Sequence, residues 1–237
     1  MSLRNILKLP QAVFNTFWFG IRKFLGNSFV RVVNRNNNFP FLISFPRTGS
    51  HWLRIILEIY TKKPILPRSQ LLHLNSHFLL IYDHDFVLSR KPESVIFLYR
   101  ENPVDVVFSA LNYFSQNLTN IRLIDFWTCC YAHHLSYWLN EDVSKKKTII
   151  VYEKLQSDFT GEFRKVCEHL NLDFDPIKLQ DAIEKGTKVK ISQQNKFDPN
   201  VINDTPDYEL RRKEFEATMG KRIREIFQKM MDSPHGN

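Results

Sequence analysis

The sequence predicts an α/β fold in which a central parallel sheet is flanked by helices. Short apolar runs of strand length alternate with longer segments whose apolar residues recur at helical spacing. Alternation of this kind is typical of parallel sheets, because each parallel connection needs a crossover. With 237 residues, of which 43% are hydrophobic and 24% charged, the chain is long and apolar enough to bury one sizeable core.

The first strand–helix unit begins with Phe41–Phe45, a run that predicts a short buried strand. Pro46 and Gly49 break the run, and from Trp52 to Tyr60 the apolar residues recur at helical spacing. A helix that starts directly after a tight loop presents backbone N–H groups and the positive end of its dipole. The unit therefore favours an anion, and phosphate above all.

The side chains of this loop support the same interpretation. Arg47 contributes a charge, and Thr48 and Ser50 contribute hydroxyl donors. An ordinary connection with Ser50 as the helix N-cap is the alternative. The loop is not a Walker A motif, because that motif has a second glycine followed by lysine and then serine or threonine.

A second strand–helix unit repeats the arrangement further along the chain. Ser94–Tyr99 predicts the most hydrophobic strand, and Arg100 follows at its end. Pro103 suits the first position of a helix predicted over Val104–Phe114, and Ser109 lies within that helix. Two anion sites of this type indicate a ligand with two separated phosphate groups.

Between these units, Phe78–Tyr82 predicts another buried strand, and His84 follows it. Ligands bind at the carboxyl ends of strands in open α/β sheets, and imidazole titrates near neutral pH. His84 is therefore a candidate general base. A surface histidine in a polar loop is the alternative reading, and His73 and His77 are nearby competitors for the role.

The remainder of the chain continues the alternation of elements. One further strand is predicted at Thr148–Tyr152, and Lys145–Lys147 before it is expected to be a solvated charged turn. Thr187–Pro206 is polar and irregular, which fits either a lid or a surface loop. The further helices are predicted at Leu123–Leu139, Phe159–Leu170, Pro176–Glu184 and Tyr208–Met231.

The composition limits which kinds of binding partner are expected. A formal net charge of +8 favours anions such as a nucleotide, a phospholipid or an acidic glycan. No nucleic acid partner is expected, because the sequence contains neither a zinc finger, an RNP signature nor a concentrated basic stripe. Three cysteines, two of them adjacent, match neither a disulfide framework nor a metal site, so a reducing, cytoplasmic location without a metal is expected.

Residues 1–35 are predicted to form a basic amphipathic N-terminal segment, and residues 36–237 the α/β domain. Basic residues interrupt every apolar run in the segment before it reaches transmembrane length, and no signal-peptide cleavage site is recognisable. Aromatic residues interleaved with basic ones fit a peripheral contact with a membrane surface. A helix packed on the core of the domain, with a solvated basic edge, is the alternative.

Three segments resemble those of the PAPS-dependent sulfotransferases, where PAPS is 3′-phosphoadenosine 5′-phosphosulfate. Residues 45–53, Phe-Pro-Arg-Thr-Gly-Ser-His-Trp-Leu, resemble the 5′-phosphosulfate loop, whose usual form is Pro-Lys-Ser-Gly-Thr-Thr-Trp. Residues 95–109 are similar to the 3′-phosphate segment, a strand followed by Arg-x-x-Pro-x-Asp-Val-x-x-Ser. Val151–Leu155 is similar to the later Tyr-Glu-Asp-Leu segment, whose tyrosine lies near the adenine. The resemblance covers about residues 41–171.

The resemblance implies a P-loop NTPase-like sulfotransferase fold and transfer of a sulfuryl group from PAPS to an acceptor hydroxyl, with no metal required. It implies that Arg47 stabilises charge on the leaving phosphate and that His84 takes the proton of the acceptor. The residues that it assigns to the nucleotide are Arg47, Thr48, Gly49, Ser50, His51, Trp52, Arg100, Ser109 and Tyr152.

The sequence departs from the family pattern in three places. The loop lysine is Arg47 here, and a planar guanidinium is not equivalent to an ammonium group. The family's catalytic histidine normally follows Lys-Thr, whereas His84 follows Tyr-Asp, so His77 in an Asn-Ser-His register is the alternative base. The C-terminal Arg-Lys-Gly segment is not recognisable, and the candidates to replace it are Lys185, Gly186, Lys188, Lys190 and Arg211–Lys213.

The acceptor is expected to be a carbohydrate or glycolipid, because the chain is basic and its N-terminal segment fits a membrane surface. Two other functions remain open at the level of sequence. A nucleotide kinase or NTPase-like phosphoryl-transfer enzyme is disfavoured by the missing Walker lysine and by the lack of an obvious Mg²⁺ aspartate after a strand. A non-catalytic nucleotide- or membrane-binding module is the third function.

Overall fold

The computed structural model describes residues 39–66, 78–86, 88, 91–187 and 207–232. The predicted N-terminal segment at residues 1–35, the alternative bases His73 and His77, and nearly all of the irregular stretch after Thr187 lie outside these ranges. Within them, no helix combines the length and the apolar content that crossing a membrane requires.

A five-stranded sheet organises the described part of the chain, with the strand order β2-β3-β1-β4-β5. Every pairing in it is parallel. The predicted α/β class with a central parallel sheet is therefore confirmed. The strands are β1 (Phe41–Ser44), β2 (Ile65–Leu66), β3 (Leu80–Asp83), β4 (Ser94–Tyr99) and β5 (Lys146–Val151).

Strand β1 lies at the centre of the sheet, between β3 and β4. The chain runs from β1 to one side of the sheet and then crosses to the other side for β4 and β5. The loops that follow β1, β3 and β4 therefore meet at the carboxyl edge of the sheet, which is where open α/β sheets bind ligands.

Apart from α4, which the sequence analysis does not predict, the helices begin and end close to where their apolar periodicity predicts. Asn102, Asn120 and Asp175 act as N-caps, because their side chains accept hydrogen bonds from backbone N–H groups of the first turns. The helices are α1 (Ser50–Thr61), α2 (Pro103–Tyr113), α3 (Ile121–Leu139), α4 (Tyr152–Ser157), α5 (Phe159–His169), α6 (Pro176–Lys185) and α7 (Tyr208–Asp232), with a 3₁₀ turn at Glu141–Val143.

Helices cover both faces of the sheet, which explains why its strands are nearly continuous apolar runs. Ile96 and Leu98 of β4 belong to the buried cluster that includes residues of α1, α5 and α6. Phe97 points to the opposite face, where its ring stacks on Trp138 of α3 with 6.1 Å between the centroids. The core therefore lies in two layers, one on each side of the sheet.

Three local predictions are wrong. Tyr152 begins α4 and does not end β5, and Ile65–Leu66 forms a short strand where the sequence analysis predicts no element. The predicted solvated turn at Lys145–Lys147 is confirmed for Lys145, whose side chain is 82% exposed, but it is wrong from Lys146 onward, where β5 begins. The ammonium group of Lys147 lies 3.3 Å from the carbonyl oxygen of Leu139 at the end of α3, where a cation also opposes the negative end of the helix dipole.

Candidate active site

The loop between β1 and α1 folds back on itself at the carboxyl edge of the sheet. Thr48 is buried, and its hydroxyl donates to the carbonyl oxygen of Phe45 at 2.8 Å. Gly49, and not Ser50, is the N-cap of α1, with a φ of 89°. Arg47 also has a positive φ, of 69°. Left-handed residues in such a turn bring successive backbone N–H groups to one side, which is the shape of an anion-binding concavity.

Trp52 stabilises the first turn of α1. Its N–H donates to the carbonyl oxygen of Gly49 at 3.1 Å, so this N–H is engaged within the helix. Its ring packs against Phe159 of α5 with 4.7 Å between the ring centroids. A contribution of Trp52 to ligand binding therefore stays a prediction that depends on its half-buried ring and not on its N–H.

Two segments that are distant in sequence meet at Arg47. Its Nε donates to the hydroxyl of Ser109 in α2 at 3.0 Å, and its guanidinium carbon lies 4.7 Å from the ring centroid of Tyr113. Ser109 is only 4% exposed. The structure thus brings together a loop and a helix that the sequence analysis assigns to two different phosphate groups.

Arg100 is held in place through both its backbone and its side chain. The hydroxyl of Tyr131 accepts the N–H of Arg100 at 3.1 Å and donates to its carbonyl oxygen. Burial raises the pKa of Tyr131, which keeps this hydroxyl a donor. The guanidinium donates to Asp105 at 2.9 Å. Arg100 is therefore a fixed cation at the end of β4.

The carboxylate of Asp105 joins Arg100 to the C-terminal helix. Asp105 is 6% exposed, and its second oxygen accepts a hydrogen bond from Nε of Arg212 in α7. This bond raises the pKa of Arg212. A buried carboxylate shared by two guanidinium groups places Arg212 beside the cation that the sequence analysis assigns to a phosphate.

The other candidates to replace the C-terminal Arg-Lys-Gly segment lie away from Arg100 or outside the described ranges. Lys185 ends α6 and pairs with Asp181 on an exposed surface, with 2.7 Å between the ammonium and carboxylate groups. Lys188 and Lys190 are not among the residues that the structure describes. Of the candidates within the described ranges, Arg212 is the one that the structure joins to Arg100 through a shared carboxylate.

Tyr152 packs directly against the glycine of the loop. A Cβ atom on Gly49 would lie 2.2 Å from the Tyr152 ring, so a side chain at this position would collide with it. The guanidinium carbon of Arg100 lies 4.9 Å from the centroid of the same ring. Burial raises the pKa of Tyr152, and the charge of Arg100 opposes that rise. An aromatic ring beside a cation offers a surface on which a base can stack.

His84 lies at the carboxyl end of β3, beside the last residue of β1. Its Nδ1 is 2.7 Å from the carbonyl oxygen of Ser44. A carbonyl oxygen can only accept, so Nδ1 carries the proton in the neutral ring and Nε2 carries the lone pair. The hydroxyl of Tyr82 lies 3.1 Å from Nε2. The ring is therefore held in a tautomer in which Nε2 can accept a proton.

The backbone around His84 is fixed by two other side chains. Asp83 accepts the N–H groups of His84 at 2.8 Å and Asp85 at 3.3 Å, so its carboxylate shapes the turn after β3. Nε2 of His134, a residue that is 2% exposed, lies 2.7 Å from the carbonyl oxygen of His84. His134 lies within the helix predicted at Leu123–Leu139, but the sequence does not indicate that it supports His84.

Aromatic rings adjoin His84 in a continuous series. The centroid of Phe86 lies 5.6 Å from that of His84 and 5.7 Å from that of Phe45. Phe45 in turn lies 6.0 Å from Trp127 of α3 in an edge-to-face arrangement. A buried aromatic cluster therefore lies next to the candidate base, and Phe86 is the partly exposed ring of this series.

Comparison with known proteins finds relatives at low sequence identity. No protein-family model matches the chain. Sulfotransferase 2A2 of Rattus norvegicus is 23% identical over an alignment of 219 residues, and the match covers 77% of this chain and 75% of the relative.

Solved structures with a similar fold include a mouse sulfotransferase in complex with PAP, the desulfated product of PAPS. It has a TM-score of 0.51 and 15% identity, and the match covers 82% of this chain and 89% of that one. Retinol dehydratase with androsterone and PAP gives a TM-score of 0.56 at 11% identity, covering 84% and 82% of the two chains. Retinol dehydratase with retinol and PAP gives 0.57 at 10% identity, covering 84% and 83%. These matches confirm the predicted fold.

Proposed function

We propose that this chain, a distant member of the sulfotransferase family, transfers a sulfuryl group from PAPS to an acceptor hydroxyl. The observation that supports this most strongly is the 3.0 Å hydrogen bond between Arg47 and Ser109, which joins the two phosphate segments into one site. A ligand with phosphate groups at both its 5′ and 3′ positions suits such a site. PAP, which is present in all three similar structures, is a ligand of this kind.

The nucleotide is divided between the two units. Backbone N–H groups at residues 48–51 and the guanidinium of Arg47 hold the 5′-phosphosulfate. Arg47 can donate through Nε to Ser109 and still direct its terminal nitrogens to a phosphate, because a guanidinium has five donors. Arg100, Ser109 and Arg212 hold the 3′-phosphate, and Tyr152 provides the surface for the adenine.

The transfer requires one bond to form at sulfur and one to break. The acceptor oxygen attacks the sulfur in line, the bond between sulfur and the phosphate oxygen breaks, and Nε2 of His84 takes the proton of the acceptor. Negative charge develops on the leaving phosphate, where Arg47 and the loop N–H groups stabilise it. As in phosphoryl transfer, positioning and fixed charge provide most of the acceleration.

The partly exposed ring of Phe86 favours an acceptor that carries its hydroxyl on a lipophilic body. It lies against His84 and is backed by the buried ring of Phe45, so an apolar acceptor packed on it would have its hydroxyl near the base. The carbohydrate or glycolipid expected from the sequence remains the alternative, since sugar rings also pack on aromatic faces. A glycolipid would have both the lipophilic body and the carbohydrate.

A transfer assay with radiolabelled PAPS tests the proposal. Three acceptor panels are compared: lipophilic alcohols and phenols, soluble oligosaccharides, and glycolipids in detergent. We expect labelled product in at least one panel, and most in the lipophilic or glycolipid panel. Absence of transfer in all three, together with ATP binding that needs Mg²⁺ and little binding of PAP, would instead establish the kinase or NTPase alternative.

A further inference from the structure

Tyr82 lies at the centre of a polar cluster that joins the loop to the base. Its hydroxyl is 2.9 Å from the hydroxyl of Ser50, 3.4 Å from that of Ser44, and 3.1 Å from Nε2 of His84. It also lies 3.3 Å from Nδ1 of the same ring. One phenol thus contacts the end of β1, the start of α1 and the histidine that follows β3.

The hydrogen bond to Ser44 sets the tautomer of His84. The Ser44 carbonyl oxygen requires the proton on Nδ1, so Nε2 is the acceptor nitrogen of the neutral ring. The Tyr82 hydroxyl lies almost equally far from both ring nitrogens, so it packs against the ring between them and not in line with the lone pair of Nε2. A hydrogen bond to the hydroxyl of Ser50 links the same phenol to the start of α1.

A buried cation backs the phenol. The guanidinium carbon of Arg54 lies 4.2 Å from the ring centroid of Tyr82, and Arg54 is only 7% exposed. A cation over an aromatic face is attracted to the ring electrons, and the attraction grows when the pair is withdrawn from water.

Tyr82 occupies a position where the related enzymes usually have a different residue. The histidine of the sulfotransferase pattern follows Lys-Thr, so in the register that places His84 as the base, Tyr82 stands in place of the lysine. A phenol provides a hydroxyl but no charge. In this chain the cation at that point is Arg54, which acts through the ring of Tyr82.

We propose that Tyr82 is a positioning residue of the transfer reaction. Its hydroxyl, backed by Arg54, holds the His84 ring in the orientation in which Nδ1 donates to Ser44 and Nε2 is the proton-accepting nitrogen. It also links this ring to Ser50, a residue of the loop that receives the phosphosulfate in the proposed function. The role of His84 as the base, and hence this role of Tyr82, rests on the proposed function. The orientation of the ring can be measured without any nucleotide.

The test uses Tyr82→Phe in the full chain, since this change removes one oxygen atom and keeps the ring under Arg54. Nitrogen-15 NMR of the histidine rings, with His84 identified by its loss in His84→Gln, should show the Nδ1–H tautomer in the wild type. In Tyr82→Phe the ring should be held less firmly, so the two nitrogen signals should report a mixture of tautomers. With PAPS and 2-naphthol as the probe acceptor, kcat should fall about tenfold while the Kd of PAP stays nearly constant.

Tyr60→Phe is the matched control. The hydroxyl of Tyr60 donates to the carbonyl oxygen of Asp173 at 2.7 Å and accepts the N–H of Asp175 at 2.8 Å, so its removal also costs hydrogen bonds of a partly buried phenol. It should lower Tm without moving the His84 signals. Arg54→Met, which removes the cation but keeps the Tyr82 hydroxyl, should reproduce the Tyr82→Phe effect in a weaker form.

The possible results distinguish a failure of the proposed role of Tyr82 from a failure of the proposed function. If Tyr82→Phe leaves the His84 signals and kcat as they are in Tyr60→Phe, the role of Tyr82 is wrong while the proposed function stands. If the Kd of PAP rises as much as kcat falls, Tyr82 binds nucleotide and does not position the base, which also overturns the proposal. If the wild type binds no PAP, the proposed function itself fails, and the ring signals are unaffected by that result.

Discussion

His84 and His169 lie at opposite edges of the same sheet, and their surroundings differ. At the amino edge, both ring nitrogens of His169 lie 2.8 Å from a hydroxyl, one on Ser94 and the other on Thr148. His169 is 4% exposed, and burial lowers its pKa to about 4. At the carboxyl edge, His84 is half-buried and is oriented by a carbonyl oxygen of β1.

The difference shows how this fold separates stability from chemistry. At the amino edge, α5 ends against β4 and β5, and His169 joins the two strands as a neutral hydrogen-bonding group. At the carboxyl edge, the loops after β1, β3 and β4 bring Arg47, His84 and Arg100 to one side of the sheet. The same residue type therefore serves packing at one edge and, in the proposed function, proton transfer at the other.

The largest expected effect comes from replacing the histidine at the carboxyl edge. His84→Ala should lower kcat by about 10²–10⁴-fold, because a positioned base contributes that much to the rate. The Kd of PAP, measured by calorimetry, should hardly change, since the imidazole faces the acceptor. His77→Ala is the control: if it abolishes turnover and His84→Ala does not, the Asn-Ser-His register is the correct one.

The histidine at the amino edge should instead govern stability against acid. Its folded pKa of about 4 lies below the ordinary 6.5, so the neutral ring is favoured in the folded chain. The stabilisation is complete above pH 6.5 and is lost as the pH falls towards 4, by about 3 kcal/mol in total. Urea unfolding of the wild type and His169→Gln across this interval measures it.

His169→Gln keeps a hydrogen-bonding side chain but does not titrate. Its free energy of unfolding should therefore change less between the two pH values than that of the wild type. Equal pH dependence in the two proteins would show that His169 is not the group that titrates.

Arg100→Ala should weaken PAP binding by roughly 1.5–3 kcal/mol, the usual cost of losing a hydrogen bond to a charged group. The binding of 5′-AMP, which lacks the 3′-phosphate, should be affected far less. Lys185→Ala removes an exposed cation of α6 and is the control for net charge. Equal losses for PAP and 5′-AMP would contradict the assignment of Arg100 to the 3′-phosphate.

The smallest expected effect is that of Lys147→Met. This change removes the cation at the end of α3 and should reduce the free energy of unfolding by about 0.5 kcal/mol, with kcat unchanged. Thermal unfolding and the transfer assay measure the two quantities. A loss of activity without a loss of stability would mean that the amino side of β5 is coupled to the active site.

Much of the carboxyl edge could be predicted from the sequence because its signals are local. The end of each apolar run places Arg47, His84 and Arg100 directly after a strand, and parallel strands bring such positions to one edge. Helix bounds were predictable for the same reason, since caps and apolar periodicity lie within each element.

The contacts that complete the site could not be predicted, because they join distant positions. The bond between Asp105 and Arg212 spans 107 residues, and α7 contains several arginines and lysines that periodicity cannot tell apart. Tyr82 reads as the last apolar residue of a strand. Only its neighbours Ser50, Arg54 and His84 in the folded chain indicate a role for its hydroxyl.

Titration of PAP into the isotope-labelled full chain tests the central claim most directly. Backbone amide shifts can be followed for Gly49 and Arg100 at the carboxyl edge and for Ser94 and Thr148 at the amino edge. We predict large, saturable changes at Gly49 and Arg100 and almost none at the other two residues. Changes centred on Ser94 and Thr148, or no saturable change at either edge, would contradict the placement of the nucleotide at the carboxyl edge.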